Sequence, residues 1–104
     1  MAIQRINYNT AVRQSSEIRD LSTDLGYEIQ KLEDLQSRIK QSWKGPACNE
    51  FLNQLTVLIA DMKTTKKNMS SVASTIANTA KRIKDEDDRK AAEELRLLNA
   101  NTIL

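Results

Sequence analysis

The sequence predicts an all-α protein folded as an antiparallel helix–turn–helix hairpin. Its 104 residues include only two glycines, one proline and 4% aromatic residues, too few turn and β-forming residues for a sheet. Apolar residues recur every three or four positions along two long stretches, which is the spacing of one helix face. The only proline and the only tryptophan stand together between those stretches. This arrangement predicts one domain over residues 1–104 with a central bend.

The first helix is predicted from about residue 9 to about residue 42. Asn7, Asn9 and Thr10 are candidate N-cap residues, because their side chains can accept hydrogen bonds from free backbone N–H groups. Gly26 lies inside the pattern, either where a neighbouring helix approaches closely or as a tolerated surface glycine. The apolar stripe steps by threes and fours, as in a coiled-coil seam: Ile18, Leu21, Leu25, Ile29, Leu32, Leu35, Ile39 and Trp43.

The predicted bend covers residues 43–46, with the sequence Trp43-Lys44-Gly45-Pro46. Glycine allows backbone conformations that other residues avoid, and proline fixes φ at a value suited to the first turn of a helix. Trp43 is a large aromatic residue placed at this bend.

The second helix is predicted from about residue 46 to about residue 84, equal in length to the first. Two helices of equal length joined by a short turn pack antiparallel. Small residues near its end permit close approach of the helices. Its stripe is Ala47, Phe51, Leu55, Leu58, Met62, Thr65, Met69, Val72, Ile76, Ala80 and Ile83.

Residues 85–104 form a predicted charged tail. The run from Lys84 to Lys90 is strongly charged, and Ala91, Ala92, Leu95 and Leu98 then resume helical spacing. Three forms are open at this stage: the tail continues the second helix, frays in solution, or folds only against a partner.

A lone hairpin of this size buries too little apolar surface to offset its ordering entropy. The stripes are also broader than one seam, which predicts a second helical surface and a four-helix bundle made from two chains. A monomer with some exposed apolar surface is the alternative. The predicted bundle and dimer interface consists of Leu21, Leu25, Ile29, Leu32, Leu35, Ile39, Phe51, Leu55, Leu58, Met62, Met69, Val72 and Ile76.

The composition argues against several function classes. The chain has no histidine, and its single Cys48 lacks a histidine to activate it. The acidic run from Asp85 to Asp88 is accompanied by basic Lys84, Arg89 and Lys90, as on a solvated helix face rather than at a metal site. The net charge is only +2, and no aromatic residues lie among the basic ones to stack on bases, so the sequence does not indicate nucleic-acid binding. We therefore expect no catalytic residues, cofactor or metal, and neither a Sec signal nor a membrane span.

Trp43 and Gly45, followed by Ala47 and Phe51, resemble the Trp-X-Gly signature of the WXG family. These are small ESAT-like proteins of type VII secretion, and the resemblance extends to length and flanking helices. It implies that Trp43 and Gly45 form the hairpin bend and export motif of a non-enzymatic protein. It further implies a secreted substrate or effector-escorting partner, exported from a bacterial cytoplasmic pool without a Sec signal. The implied partners are itself, a sister hairpin or an effector's helical domain, and the type VII secretion ATPase.

The chain departs from the family pattern at one place. Many members carry Tyr-x-x-x-Asp/Glu after the second helix, whereas the only tyrosines here are Tyr8 and Tyr27. A variant signal, or a partner that supplies the intact one, would account for this. The corresponding candidates are Ile83 with Asp87, or Lys84 with Asp88.

Two alternatives stay open at this stage. Trp43 either plugs the junction between the helices or contacts the secretion machinery, and the two roles are compatible. The rival function is an intracellular coiled-coil adaptor with no secretion role.

Overall fold

The computed structural model describes residues 7–103 and consists of two antiparallel α-helices, α1 (Tyr8–Ser42) and α2 (Pro46–Ile103). Together they form a rod 89 Å long and 17 by 16 Å across. The predicted all-α hairpin is confirmed by this arrangement. The structure contains one hairpin, and the predicted four-helix bundle would need a second one.

The N-terminus of α1 is capped by Asn7. The Thr10 backbone N–H donates to Asn7 Oδ1 at 3.1 Å, and the Ala11 N–H donates to the Asn7 carbonyl at 3.0 Å. These bonds satisfy donors that the first helical turn leaves free. Of the three candidate caps, Asn7 therefore has this role, and Asn9 and Thr10 lie inside the helix.

The bend reverses the chain through Trp43, Lys44 and Gly45. Trp43 adopts an extended backbone, with its N–H donating to the Ile39 carbonyl at 2.8 Å. Gly45 has φ +126°, the only positive φ among the described residues, and its carbonyl accepts from the Asn49 N–H at 3.1 Å. Cys48 is buried and its thiol donates to the Trp43 carbonyl at 3.2 Å. A small thiol therefore fills the inside of the bend.

The seam between the helices changes character along the rod. In the half nearer the bend it is apolar, with buried Ile29, Leu55 and Ile59 surrounded by Leu25, Leu32 and Met62. In the open half it consists of small side chains, which let the helix backbones approach closely. The buried residues there are Ser15, Ser22, Ala73 and Ala80.

Three polar side chains of α1 bond directly to backbone carbonyls of α2. Ser15 Oγ donates to the Ala73 carbonyl at 2.7 Å, and Ser22 Oγ to the Lys66 carbonyl at 3.2 Å. Gln36 Nε2 donates to the Leu52 carbonyl at 3.2 Å. A buried hydroxyl without a partner costs about 1–3 kcal/mol. Sliding one helix along the other would break these bonds, so they set the register of the hairpin.

The two helices are unequal, contrary to the expectation of equal lengths: α1 has 35 residues and α2 has 58. Helix two does not end near residue 84 because ion pairs one turn apart support it through the charged run. They are Lys81–Asp85 and Lys84–Asp88, both at 2.9 Å, Arg89–Glu86 at 2.8 Å and Arg96–Glu93 at 2.7 Å.

The last part of α2 extends past the start of α1. The Lys84 amine lies 5.6 Å from the centre of the Tyr8 ring, at the first residue of α1. Every residue from 88 to 101 is exposed. We call residues 89–103 the overhang, since no part of α1 described here covers them.

The two glycines are expected to respond oppositely to alanine. Gly45→Ala places a side chain at a strained φ of +126° and should lower the unfolding free energy by about 1–2 kcal/mol. A Cβ on Gly26 would lie 2.8 Å from Cε of Lys66, an atom near the end of a flexible side chain that can move aside. Because alanine is the better helix former by about 1 kcal/mol, Gly26→Ala should be neutral to slightly stabilising.

Urea unfolding of both variants, followed by circular dichroism, measures this difference. If Gly26→Ala destabilised the chain more than Gly45→Ala, the close contact in the seam would outweigh the backbone strain at the bend.

Candidate protein-interaction surfaces

The apolar stripes predicted from the sequence divide between the seam and an exposed row. On α1, Ile29 is buried, whereas Leu21 is 57% exposed and Leu35 is 41% exposed. On α2, Leu55 is buried, and the exposed members are Phe51 at 44%, Leu58 at 49% and Val72 at 51%. The half-buried members are Leu25, Leu32, Ile39, Met62, Met69 and Ile76. The predicted stripe therefore combines two adjacent faces of each helix.

The stripes predicted from the sequence leave out part of the seam. Its polar positions Ser15, Ser22 and Gln36 stand seven residues apart in the series that contains buried Ile29. Ile59 also belongs to the seam, whereas the predicted stripe contains its neighbour Leu58. The seven-residue spacing from Ile29 indicates Ser15, Ser22 and Gln36 as seam positions if polar residues are allowed in the pattern. A pattern of apolar residues alone contains their neighbours Leu21 and Leu35 instead.

The exposed rows of the two helices lie on the same side of the hairpin. Leu21 and Leu35 each precede a seam residue of α1 by one position, and Leu58 and Val72 do the same on α2. Antiparallel helices are related by a two-fold axis, so positions with equal offsets from the seam fall on one side. This surface, called the apolar face, consists of exposed Leu21, Leu35, Phe51, Leu58 and Val72 with the half-buried residues beneath them.

The opposite side of the hairpin is a polar edge. Lys63 Nζ lies 3.6 Å from Glu33 Oε2, and Arg19 donates to Ser74 Oγ at 2.8 Å. Gly26 opens a shallow cleft on this edge beside Lys66, whose aliphatic stem covers the glycine. The glycine thus leaves room for the Lys66 side chain rather than for the backbone of the neighbouring helix. Only the apolar face presents a row of large hydrophobic side chains.

Trp43 lies at the bend end of the rod and is 51% exposed. Its ring centre is 6.3 Å from that of Phe51, with the planes tilted by 49°, so the indole continues the apolar face. Buried Cys48 occupies the inside of the bend. Because Cys48 already fills the inside of the bend, the Trp43 indole lies outside it, next to Gly45 in sequence, with about half of its surface exposed.

The candidate variant signal lies at the opposite end of the same chain. Ile83 is 38% exposed, and Lys84 pairs with Asp88 near Tyr8 at the start of α1. The hydrogen bond with Asp88 raises the pKa of Lys84 above its ordinary value. Asp87 is half-buried on the adjacent turn. Within one hairpin, these residues and Trp43 are separated by the length of α1, about 50 Å.

Acidic residues 85, 86 and 88 form ion pairs with basic residues of the same helix. Over residues 7–103, no group of three or more metal-ligating side chains is placed to hold an ion. Neither helix, over the same residues, contains a segment long and apolar enough to cross a bilayer.

Comparison with known proteins gives one decisive match. A family model described as proteins of 100 residues with Trp-X-Gly matches residues 5–88. The chain belongs to the WXG100 family. WXG100 proteins are small, non-enzymatic helical proteins associated with type VII secretion. The matched region ends one residue before the overhang. No curated protein and no solved structure matches the chain.

The overhang is expected to lose helicity in acid. Hydrogen bonds from Arg89 and Arg96 lower the pKa values of Glu86 and Glu93, respectively, below the ordinary 4.5. A carboxyl whose pKa is lowered by folding stabilises the helix above that ordinary value and loses this contribution as pH falls through the lowered value. The helical signal should therefore hold from pH 7 to about 5 and decline below 4.5.

Circular dichroism of the full chain against a chain ending at residue 88 isolates this effect. A Glu86→Gln/Glu93→Gln variant serves as the control and should show a smaller decline. Equal acid profiles for all three chains would mean that these ion pairs do not support the overhang.

Proposed function

We propose that this WXG100 protein acts in type VII secretion as a dimer of hairpins, either as a secreted substrate or as the escort of a larger effector. The apolar face supports this proposal most directly. Five large hydrophobic side chains are exposed along one side of a rod only 17 by 16 Å across. Large apolar side chains exposed along one side of a protein are typical of protein interfaces. A second hairpin on this face would complete a four-helix bundle.

The interface proposed for the bundle is narrower than the stripe predicted from the sequence. Ile29 and Leu55 are already buried between α1 and α2, so they hold the hairpin together rather than meet a partner. Leu21, Leu35 and Leu58 are available to the second hairpin. The half-buried residues beneath them would become fully buried when it binds.

The proposed export surface is composite. Trp43 and Gly45 lie at the bend, whereas Ile83, Lys84, Asp87 and Asp88 lie near the open end. Within one hairpin, the bend residues and the open-end residues are about 50 Å apart. In an antiparallel dimer, the bend of each copy lies beside the open end of the other. We propose that the type VII secretion ATPase reads this combined surface before export from the bacterial cytoplasm.

The open end presents Ile83 in place of the tyrosine common in the family. Its exposed aliphatic side chain, one turn before Asp87, offers an apolar and an acidic group on adjacent turns. This arrangement supports a variant signal carried by the chain itself. A partner that carries the complete motif is the alternative.

Replacement of Trp43 is expected to separate export from folding. Because the indole is half exposed, Trp43→Ala should lower the unfolding free energy by no more than about 1.5 kcal/mol, and export should fall at least tenfold. Tyr27→Ala is the matched control, since Tyr27 is an exposed aromatic residue away from the bend. Quantifying the chain in the medium and in cells, with circular dichroism of purified variants, tests this expectation. Normal export of Trp43→Ala would contradict the export role.

Charge on the apolar face is expected to prevent dimerisation. Leu58→Asp would place an unpaired carboxylate in the bundle interior, so the dimer should dissociate and the separated hairpins should lose part of their helicity. Val57→Asp is the control, because Val57 is also exposed but lies on the outer surface. Light scattering over roughly 1–100 μM, which covers association free energies from about −8 to about −5.5 kcal/mol, gives the masses. Dimers of equal stability for both variants would rule out this face.

A further inference from the structure

We propose that Tyr8 supplies, from α1, the aromatic group of the export signal that α2 lacks. On α2 it is joined by Lys84 and Asp88. The other pair of α2, Ile83 with Asp87, then has no part in the signal. This proposal rests on the export surface proposed above and identifies the residues that form its open-end half.

Tyr8 is the first residue of α1, and the helix cap fixes its position. The Asn7 side chain accepts a hydrogen bond from the Thr10 backbone N–H at 3.1 Å, and the Asn7 carbonyl accepts one from the Ala11 N–H at 3.0 Å. These bonds hold the first turn of α1 in one conformation. The half-buried Tyr8 ring is thereby held against α2, with its centre 5.6 Å from the Lys84 amine. This distance is within the range of a cation–π contact.

The Lys84 amine also contacts a carboxylate. Lys84 Nζ lies 2.9 Å from Asp88 Oδ2, so it bridges the Tyr8 ring on α1 and the Asp88 carboxylate on α2. The ring, the amine and the carboxylate therefore form one cluster at the open end of the rod, called the Tyr8 cluster. It joins the two helices, which neither helix could do by its own sequence.

The Tyr8 cluster reproduces the arrangement of groups in the Tyr-x-x-x-Asp/Glu pattern. An aromatic residue four positions before an acidic one places the two side chains on adjacent turns of one helix face, with Cβ atoms about 5–6 Å apart. In this chain Lys84 occupies the position four residues before Asp88, and its amine lies over the Tyr8 ring. An aromatic group and a carboxylate are thus close neighbours, although the ring comes from the other helix.

Ile83 lies on the side of the hairpin that the proposed dimer covers. It continues the line of half-buried residues of the apolar face, at seven-residue spacing from Ile76 and Met69. A second hairpin bound to the apolar face would extend along this line. A signal based on Ile83 would therefore compete with the dimer interface.

The Tyr8 cluster lies toward the polar edge instead. Asp88 and Lys81 follow Ser74 at seven-residue spacing. Ser74 belongs to the polar edge, where its hydroxyl accepts a hydrogen bond from Arg19 at 2.8 Å. A second hairpin on the apolar face leaves this edge uncovered. The Asp88 carboxylate beside Tyr8 therefore stays at the surface when the proposed dimer forms.

Tyr8 has a structural position as well. It stands seven residues before Ser15, in the series of seam positions that includes Ser22, so its ring closes the seam at the open end. Removal of the ring shortens the seam. A test of the proposal must therefore separate recognition of the ring from its packing.

Export of Tyr8 variants is the first test. Tyr8→Ala should lower the ratio of secreted to cellular chain roughly tenfold or more, the effect of removing an aromatic contact from a recognition surface. Tyr8→Phe keeps the ring and should be exported like the wild type. Tyr8→Leu keeps apolar bulk without a ring and should be exported as poorly as Tyr8→Ala. Tyr27→Ala is the matched control, because Tyr27 is an exposed tyrosine of α1 away from the open end.

Moving the ring to α2 separates recognition from packing. Lys84→Tyr in the Tyr8→Ala background puts an aromatic residue four positions before Asp88 and should restore export. The recovery cannot come from the start of α1, because position 8 still lacks its ring. Asp88→Asn should lower export as Tyr8→Ala does, whereas Asp87→Asn should leave it unchanged.

Circular dichroism of each purified variant shows whether it folds, so that a loss of export at unchanged helicity is assigned to recognition. Normal export of Tyr8→Ala, with poor export of Trp43→Ala, would overturn the Tyr8 proposal and leave the secretion role standing. A folded Tyr8→Ala/Lys84→Tyr chain that stayed in the cells would overturn it too, because the ring would then act through packing alone.

The remaining outcomes concern the other pair and the proposed function itself. Poor export of Ile83→Ala, with normal export of Tyr8→Ala, would assign the signal to Ile83 and Asp87 and overturn the proposal. If neither Tyr8→Ala nor Trp43→Ala changed export, the secretion role would be wrong and the Tyr8 proposal would fall with it.

Discussion

Two packed helices can bury only one narrow face of each other, and this limit determines which apolar residues of the hairpin stay exposed. Each helix here carries apolar residues over a wider arc than that face. The seam takes Ile29, Leu55 and Ile59, and Leu21, Leu35 and Leu58 stay exposed on one side. A hairpin with so small a core, and with large apolar side chains exposed along one side, has its stability linked to whatever covers that side.

In the open half of the hairpin, the seam buries few large apolar side chains, but its hydrogen bonds fix how the two helices are aligned along each other. In the open half, Ser15 and Ser22 bond to carbonyls of α2 instead of burying large side chains. Such bonds contribute modestly to stability but penalise sliding, because a displaced hydroxyl would be buried without a partner. The resulting register matters beyond the hairpin. It fixes which residues of α1 and α2 lie side by side on the apolar face.

The two ends of the rod have different chemistry. The bend presents a half-exposed indole over Phe51, with its interior filled by Cys48. The open end presents Ile83 among paired charges, and α2 continues beyond it as the overhang. Because the family match ends at residue 88, the overhang is a part of α2 outside the shared region. Its helix is held by pairs such as Arg89–Glu86 and Arg96–Glu93 rather than by tertiary packing.

The sequence by itself determined the fold class, the bend and the family. Apolar spacing, scarce glycine and the Trp43-Lys44-Gly45 tripeptide are local signals, and they depend little on how the helices pack. The sequence predicts the second helix to about residue 84 and leaves its continuation through the tail open, because the charged run lacks an apolar stripe. In the structure α2 continues through the tail, supported by ion pairs within the helix.

Only the tertiary structure decided which apolar residues face inward. Leu58 and Ile59 are both large, aliphatic and adjacent, so periodicity could not rank them. The choice depends on the register of the opposite helix, where Ser22 and Gln36 occupy seam positions that hydrophobicity assigned to their leucine neighbours. The apolar face exists because that register turns Leu21, Leu35 and Leu58 away from the seam. It is a property of two helices packed together, which neither helix encodes alone.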